Sequence, residues 1–111
     1  MLHIYIVLAI SICAETLATV MVKASEGFTR IIPSIIVIIG YAISFYGLSL
    51  VVRTMNVGIV YATWAGMGIF LVSVMSFLFY NQKIDLPCII GMSFITGGVL
   101  IIHLYSRSVI N

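Results

Sequence analysis

The sequence predicts an all-α integral membrane protein with four transmembrane helices per protomer, paired as an antiparallel, dual-topology homodimer. Three observations lead there. The 111-residue chain is 63% hydrophobic and only 7% charged, a balance that no water-soluble domain of this size tolerates. Its apolar residues fall into four long runs, at about 2–22, 31–52, 57–80 and 86–105, each close to the ~20 residues that cross a hydrocarbon core of about 30 Å. The Lys and Arg residues divide almost evenly between the two faces that four spans create: Arg53 and Arg107 on one, Lys23, Arg30 and Lys83 on the other. Such a small asymmetry sets orientation weakly, so insertion in both directions and an antiparallel pair follow.

The connecting stretches 23–30, 53–56 and 81–85 are too short to hold a soluble domain. They force successive helices to run antiparallel, place both termini on one side, and make residues 1–111 a single four-helix transmembrane domain.

The first span carries the anomaly. Glu15 lies inside an otherwise apolar run, roughly 20 Å from one end and 10 Å from the other at about 1.5 Å per residue. An acidic side chain at that depth costs on the order of 2.5–3.5 kcal/mol and normally finds a partner. Every Lys and Arg falls at or outside the end of an apolar run, so the neutralising species is a proton or a visiting cation. The alternative is a permanently protonated Glu15 that only ties helices together. Leu8, Ser11, Ala18, Thr19 and Val22 recur at three- and four-residue intervals with Glu15 and share its face. Apart from Leu8, that face is small and mildly polar, suited either to a ligand or to close helix packing.

Gly27 and Pro33 punctuate the first reversal. In the second span Tyr41, Ser44 and Leu48 share a face, with Phe45 beside it, and Gly40 and Gly47 permit close helix contact. The third span holds Gly58-Ile-Val-Tyr61-Ala-Thr-Trp64-Ala-Gly66-Met-Gly68. Tyr61 and Trp64 stand one turn apart, away from the headgroup level, and can offer ring faces to a cation for about 0.5–2 kcal/mol each. Gly66 and Gly68 weaken one turn and predict a hinge. Pro87 follows the last reversal, and in the fourth span Gly91 and Gly98, seven residues apart, form the pattern of a helix seam between protomers. His103, near the membrane exit, reads as a satisfied interfacial residue. Four helices are too few to wrap a chamber around a large ligand and hide Glu15 from lipid, a second argument for a dimer.

Other function classes are poorly supplied. A net charge of +2 with no basic cluster implies no nucleic-acid partner. Cys13 and Cys88 have no CxxC or nearby His, so they read as small buried thiols, with neither metal nor cofactor expected. No nucleophile–base pair or phosphate loop is present, and no enzyme is expected. A passive pore is disfavoured by the scarcity of polar residues along the spans.

Ala14-Glu15, Lys23 with Ser25-Glu26-Gly27-Phe28-Thr29-Arg30, Tyr61-Ala-Thr-Trp64-Ala-Gly66-Met-Gly68, Asp85-Leu-Pro87, and Gly91 with Gly98 together resemble the small multidrug resistance family over the whole chain. The resemblance implies a proton-coupled antiporter of lipophilic or quaternary ammonium cations, acting as an antiparallel homodimer in a bacterial inner membrane. By position, Glu15 would be the shared proton and substrate carboxylate, and Tyr61 and Trp64 its aromatic contacts. Tyr41, Ser44, Ser11 and Thr19 would line the chamber, Gly66 and Gly68 form the kink, and the fourth helix join protomers. Tyr46, Asn56, Val60 and Ser11 depart from residues frequent in the polyaromatic cation exporters. The guanidinium-exporting branch often has a tryptophan where this chain has Ala18, so the resemblance leans toward the multidrug branch. A guanidinium-type exporter and a non-transporting assembly subunit are the alternatives.

Overall fold

The computed structural model describes residues 2–109. Its elements are α1 (Leu2–Ala24), α2 (Ile31–Val51), α3 (Val57–Tyr80) and α4 (Leu86–Tyr105), each long and apolar enough to cross a membrane. The four runs read from the sequence match these helices to within two residues at every end, because lipid allows a spanning segment no other way to pair its backbone. The chain resolves into two compact helical hairpins, α1–α2 and α3–α4.

In the first hairpin the helices meet through small residues. Gly40 lies against Ala18 and the carbonyl of Ala14, so near that an added Cβ would stand 2.9 Å from Ala18 Cβ and 3.1 Å from the Ala14 oxygen. Gly47 lies against Ser11, whose Cβ would be 2.9 Å from a Cβ at that position. Leu8, Ser11, Ile12 and Ala18 of α1 are buried, as are Val37, Gly40, Ser44 and Gly47 of α2. In lipid, where apolar surface has no water to escape, such close backbone approach is what holds helices together.

The α1–α2 reversal is built on Ser25. Its hydroxyl donates to the Val22 carbonyl at 2.7 Å and accepts from the Phe28 N–H at 3.1 Å, while its carbonyl receives the N–H groups of Thr29 and Arg30. Between them Glu26, Gly27 and Phe28 all take the left-handed conformation, with φ of 49°, 73° and 65°. Only one of these is a glycine, so the buried Ser25 bonds hold two side chains in a region they normally avoid.

In the second hairpin Asn56 caps α3 by accepting the Gly58 N–H at 3.0 Å, and Asn81 ends the helix in the left-handed conformation. Asp85 caps α4 by accepting the Cys88 N–H at 3.2 Å. The Cys88 thiol and then the Cys88 N–H, both donating to the Asp85 carboxylate, hold it below the usual aspartate range. A depressed folded-state value means the stabilisation is complete above the unfolded value and lost as pH falls through the folded one. Acidification below the ordinary aspartate range, or Asp85→Ala at neutral pH, is therefore expected to lower the hydrogen-exchange protection factor of the Cys88 amide, relative to its intrinsic rate at the same pH, while leaving mid-helix amides protected.

The outer surface is oily. Ile38, Phe45, Phe70, Phe94 and Leu104 are all exposed, which is normal only where lipid or another apolar surface covers them. Cys13 and Cys88 are exposed as well, contrary to the expectation of buried thiols. In a membrane a small apolar side chain gains nothing by facing inward, so hydropathy does not assign its side.

Candidate functional site

Glu15 is half-buried on α1. One turn later the Thr19 hydroxyl donates to its Oε1 at 3.0 Å, the ordinary consequence of an i, i+4 spacing. The same Thr19 oxygen lies 2.8 Å from the Tyr41 hydroxyl of α2. A threonine hydroxyl has a single hydrogen. When Thr19 gives it to Glu15, Tyr41 must be the donor to Thr19, and the three groups form a directed chain running Tyr41 to Thr19 to carboxylate. The glycine at position 40 makes this crossing short: its contact with Ala18 brings the adjacent Tyr41 within reach of Thr19. Tyr41 is further steadied by stacking on Phe45 one turn on, with ring centroids 6.0 Å apart.

Ser11 and Ser44 sit at the seam of the same hairpin. Ser11 is 2% exposed and donates to the Val7 carbonyl at 2.7 Å; Ser44 is also buried and donates to the Tyr41 carbonyl at 3.0 Å. Both hydroxyls are thus satisfied by their own helices, and the side chains fill the α1–α2 contact.

The aromatic pair lies in the second hairpin. Tyr61 is 71% exposed and Trp64 is half-buried, one turn apart on α3. Gly66 meets Val99 of α4, where an added Cβ would stand 2.5 Å from a Val99 methyl, and Gly68 is buried. Helix α3 runs unbroken through both glycines. Val99 is the one buried residue of α4 among those described, and a Cβ added at Gly91 or Gly98 would meet no other described side chain within 4 Å. The residue that sequence reasoning passed over is Thr63, buried beside Trp64 and hydrogen-bonded to His103 of α4. Its signal was faint: one polar side chain within an apolar turn.

A family model described as Small Multidrug Resistance protein matches residues 3–95 of the chain. The chain belongs to the small multidrug resistance family. As a member it is a multi-pass membrane protein, with the family's four helices. It is 50% identical over 104 residues to the multidrug transporter EmrE of Escherichia coli strain K12, with 94% of each chain covered. It is 47% identical over 103 residues to the quaternary ammonium compound-resistance protein QacF of Klebsiella aerogenes, covering 93% of this chain and 94% of the relative. A third relative, QacE of Escherichia coli, carries the same quaternary ammonium description at 42% identity over 104 residues. The relatives are named as transporters and resistance proteins, in keeping with a small multidrug resistance protein that is not an enzyme.

Proposed function

We propose that this chain exports lipophilic or quaternary ammonium cations in exchange for protons, as an antiparallel homodimer in a bacterial inner membrane. The observation that carries the reading is Glu15, held within a membrane span and met there by a hydroxyl rather than by a lysine or arginine. In a medium of low dielectric a bare carboxylate is costly, so the site takes either a proton or a cation, and each displaces the other. The hydroxyl chain serves both occupancies. With Glu15 ionised it donates toward the carboxylate; with Glu15 protonated every member reverses, Glu15 donating to Thr19 and Thr19 to Tyr41.

Tyr61 and Trp64 are the contacts that favour an organic cation over a metal ion, because a large, weakly hydrated cation sheds its water readily and gains from ring faces. Tyr41 and Thr19 complete the polar side, Ser11 and Ser44 keep α1 and α2 at the required separation, and Gly66 and Gly68 let α3 bend as access alternates. The open face of α4 at Gly91 and Gly98 is where a second copy seats. Two copies of opposite orientation then supply the paired halves that inverted-repeat transporters carry in one chain.

Titrating the detergent-solubilised protein with organic cations is the direct test. Proton release on binding is expected; a carboxyl that neither titrates nor responds to any ammonium, phosphonium or guanidinium compound would leave a scaffold as the better reading, and release by guanidinium alone would move the protein to the small-cation branch. Trp64→Leu is expected to weaken binding of aromatic cations by roughly 3- to 30-fold, the equivalent of one ring contact. Unchanged affinity for every cation tried would remove Trp64 from the site.

A further inference from the structure

The geometry points to His103 as a positioning residue that sets the rotation of α3, and with it the direction in which Tyr61 and Trp64 present their rings. Three contacts join the beginning of α3 to the end of α4 and the residues after it. The Asn56 N–H donates to the Val109 carbonyl at 2.8 Å, Thr63 bonds His103, and Gly66 receives Val99. Past Gly66 an apolar groove of about 580 Å³ lies between the two helices, walled by Phe70, Phe77, Ile89 and Leu100 and crossed by the Ser73 hydroxyl, 3.4 Å from the Met92 sulfur. Around Tyr61 and Trp64 the hairpin is therefore held by three ties, and farther along α3 by the contact of Ser73 with Met92.

Among the three ties, the one between Thr63 and His103 links two polar side chains within the spans. Its polarity can be worked out. The Thr63 hydroxyl hydrogen goes to the Ile59 carbonyl at 2.8 Å, so toward His103 the Thr63 oxygen acts as acceptor and His103 Nε2–H is the donor. The contact therefore has a direction, from the His103 imidazole to the Thr63 oxygen.

The consequence for the rings follows from helix geometry. Successive residues turn by about 100°. If Thr63 is held facing α4, Trp64 stands about 100° round the helix and Tyr61 about 160° round it in the same sense. That matches a half-buried Trp64 and a Tyr61 that is 71% exposed. Loss of the Thr63 anchor frees α3 to roll about its axis, and both rings move together. This rests on the reading of Tyr61 and Trp64 as cation contacts, but the roll itself is observable without a cation.

The chain has a single tryptophan, so its emission reports Trp64 alone. In purified protein without ligand, His103→Ala and Thr63→Val are each expected to shift the Trp64 emission maximum. Each is also expected to weaken tetraphenylphosphonium binding about 3- to 10-fold, the value of one hydrogen bond. The double variant is expected to be no weaker than either single, and His103→Gln, whose side-chain amide can donate from a similar position, to restore both readings. Unchanged emission and affinity in a folded Thr63→Val protein would overturn the assignment, as would additive losses in the double variant. Thr63→Val is close to isosteric and gives the same answer should His103→Ala fail to fold. If the wild-type protein binds no tetraphenylphosphonium yet its emission shifts in both variants, the transport reading fails and the brace stands.

Discussion

Glu15→Gln is expected to abolish proton release on cation binding and proton-driven uptake of organic cations into reconstituted vesicles. The substitution keeps the shape of the side chain and an amide oxygen able to accept from Thr19, whose hydroxyl now bonds Glu15 Oε1 at 3.0 Å. The first hairpin therefore retains its contacts, and helix content measured by circular dichroism is expected to match wild type. What disappears is the negative charge. Removing one member of a desolvated charge pair costs about 2–5 kcal/mol, so cation affinity is expected to fall roughly 30-fold or more. The pH dependence of binding goes with it, because an amide has no proton to exchange. Glu15→Asp sharpens the test: it keeps the charge but withdraws it by one methylene from Thr19, so coupling is expected to survive with altered affinity. Coupled uptake retained in Glu15→Gln would show that exchange does not pass through this carboxylate.

The reach of sequence reasoning can be judged at particular residues. The four helices were legible because a membrane demands long apolar runs, and each run ends at a charge, a turn residue or a proline close to where the helix ends. Glu15 was legible for the complementary reason, as a charge where the solvent forbids one. Thr19 and Tyr41 were legible as residues on helix faces, but the bond between them was not. It depends on the register of α1 against α2, which the contacts at Gly40 and Gly47 set to a fraction of a residue. Ser11 and Ser44 expose the same limit from the other side. A small hydroxyl residue fits a chamber wall and a helix seam equally well, since its own helix can satisfy the hydroxyl. The first reversal was legible at Gly27, but the left-handed conformation of Glu26 and Phe28 was not, because these residue types carry no such signal. His103 was read as satisfied, and it is hydrogen-bonded to Thr63; that the partner is the neighbour of Trp64 is a fact of packing between α3 and α4.

Gly47→Ala is expected to force α1 and α2 apart. The added Cβ would fall on the Ser11 hydroxyl and stand 2.9 Å from Ser11 Cβ. Rotating the hydroxyl away relieves the first contact but not the second, and ordinary carbon contact needs about 3.5–4.0 Å. The helices must part by somewhat under about 1 Å there. Overpacking of this kind costs about 1–3 kcal/mol, against which the better helix propensity of alanine returns up to about 1 kcal/mol. Spread along α2, the same displacement lengthens the 2.8 Å contact between Thr19 and Tyr41, so cation affinity is expected to fall together with the unfolding temperature in detergent. The origin of the effect is open to a compensating change. Ser11→Gly removes both offending atoms, and the Ser11→Gly, Gly47→Ala pair is expected to recover most of the lost affinity even though a glycine in α1 lowers overall stability by up to about 1 kcal/mol. At Gly40 the outcome differs. An alanine there meets Ala18 Cβ and also the Ala14 carbonyl oxygen at 3.1 Å. Ala18→Gly clears only the first of these, because a backbone oxygen cannot be mutated away, so rescue at position 40 is expected to be partial. Equal rescue at both sites, or a Gly47→Ala protein that unfolds at the wild-type temperature, would mean that close approach of α1 and α2 is not what holds Tyr41 to Thr19.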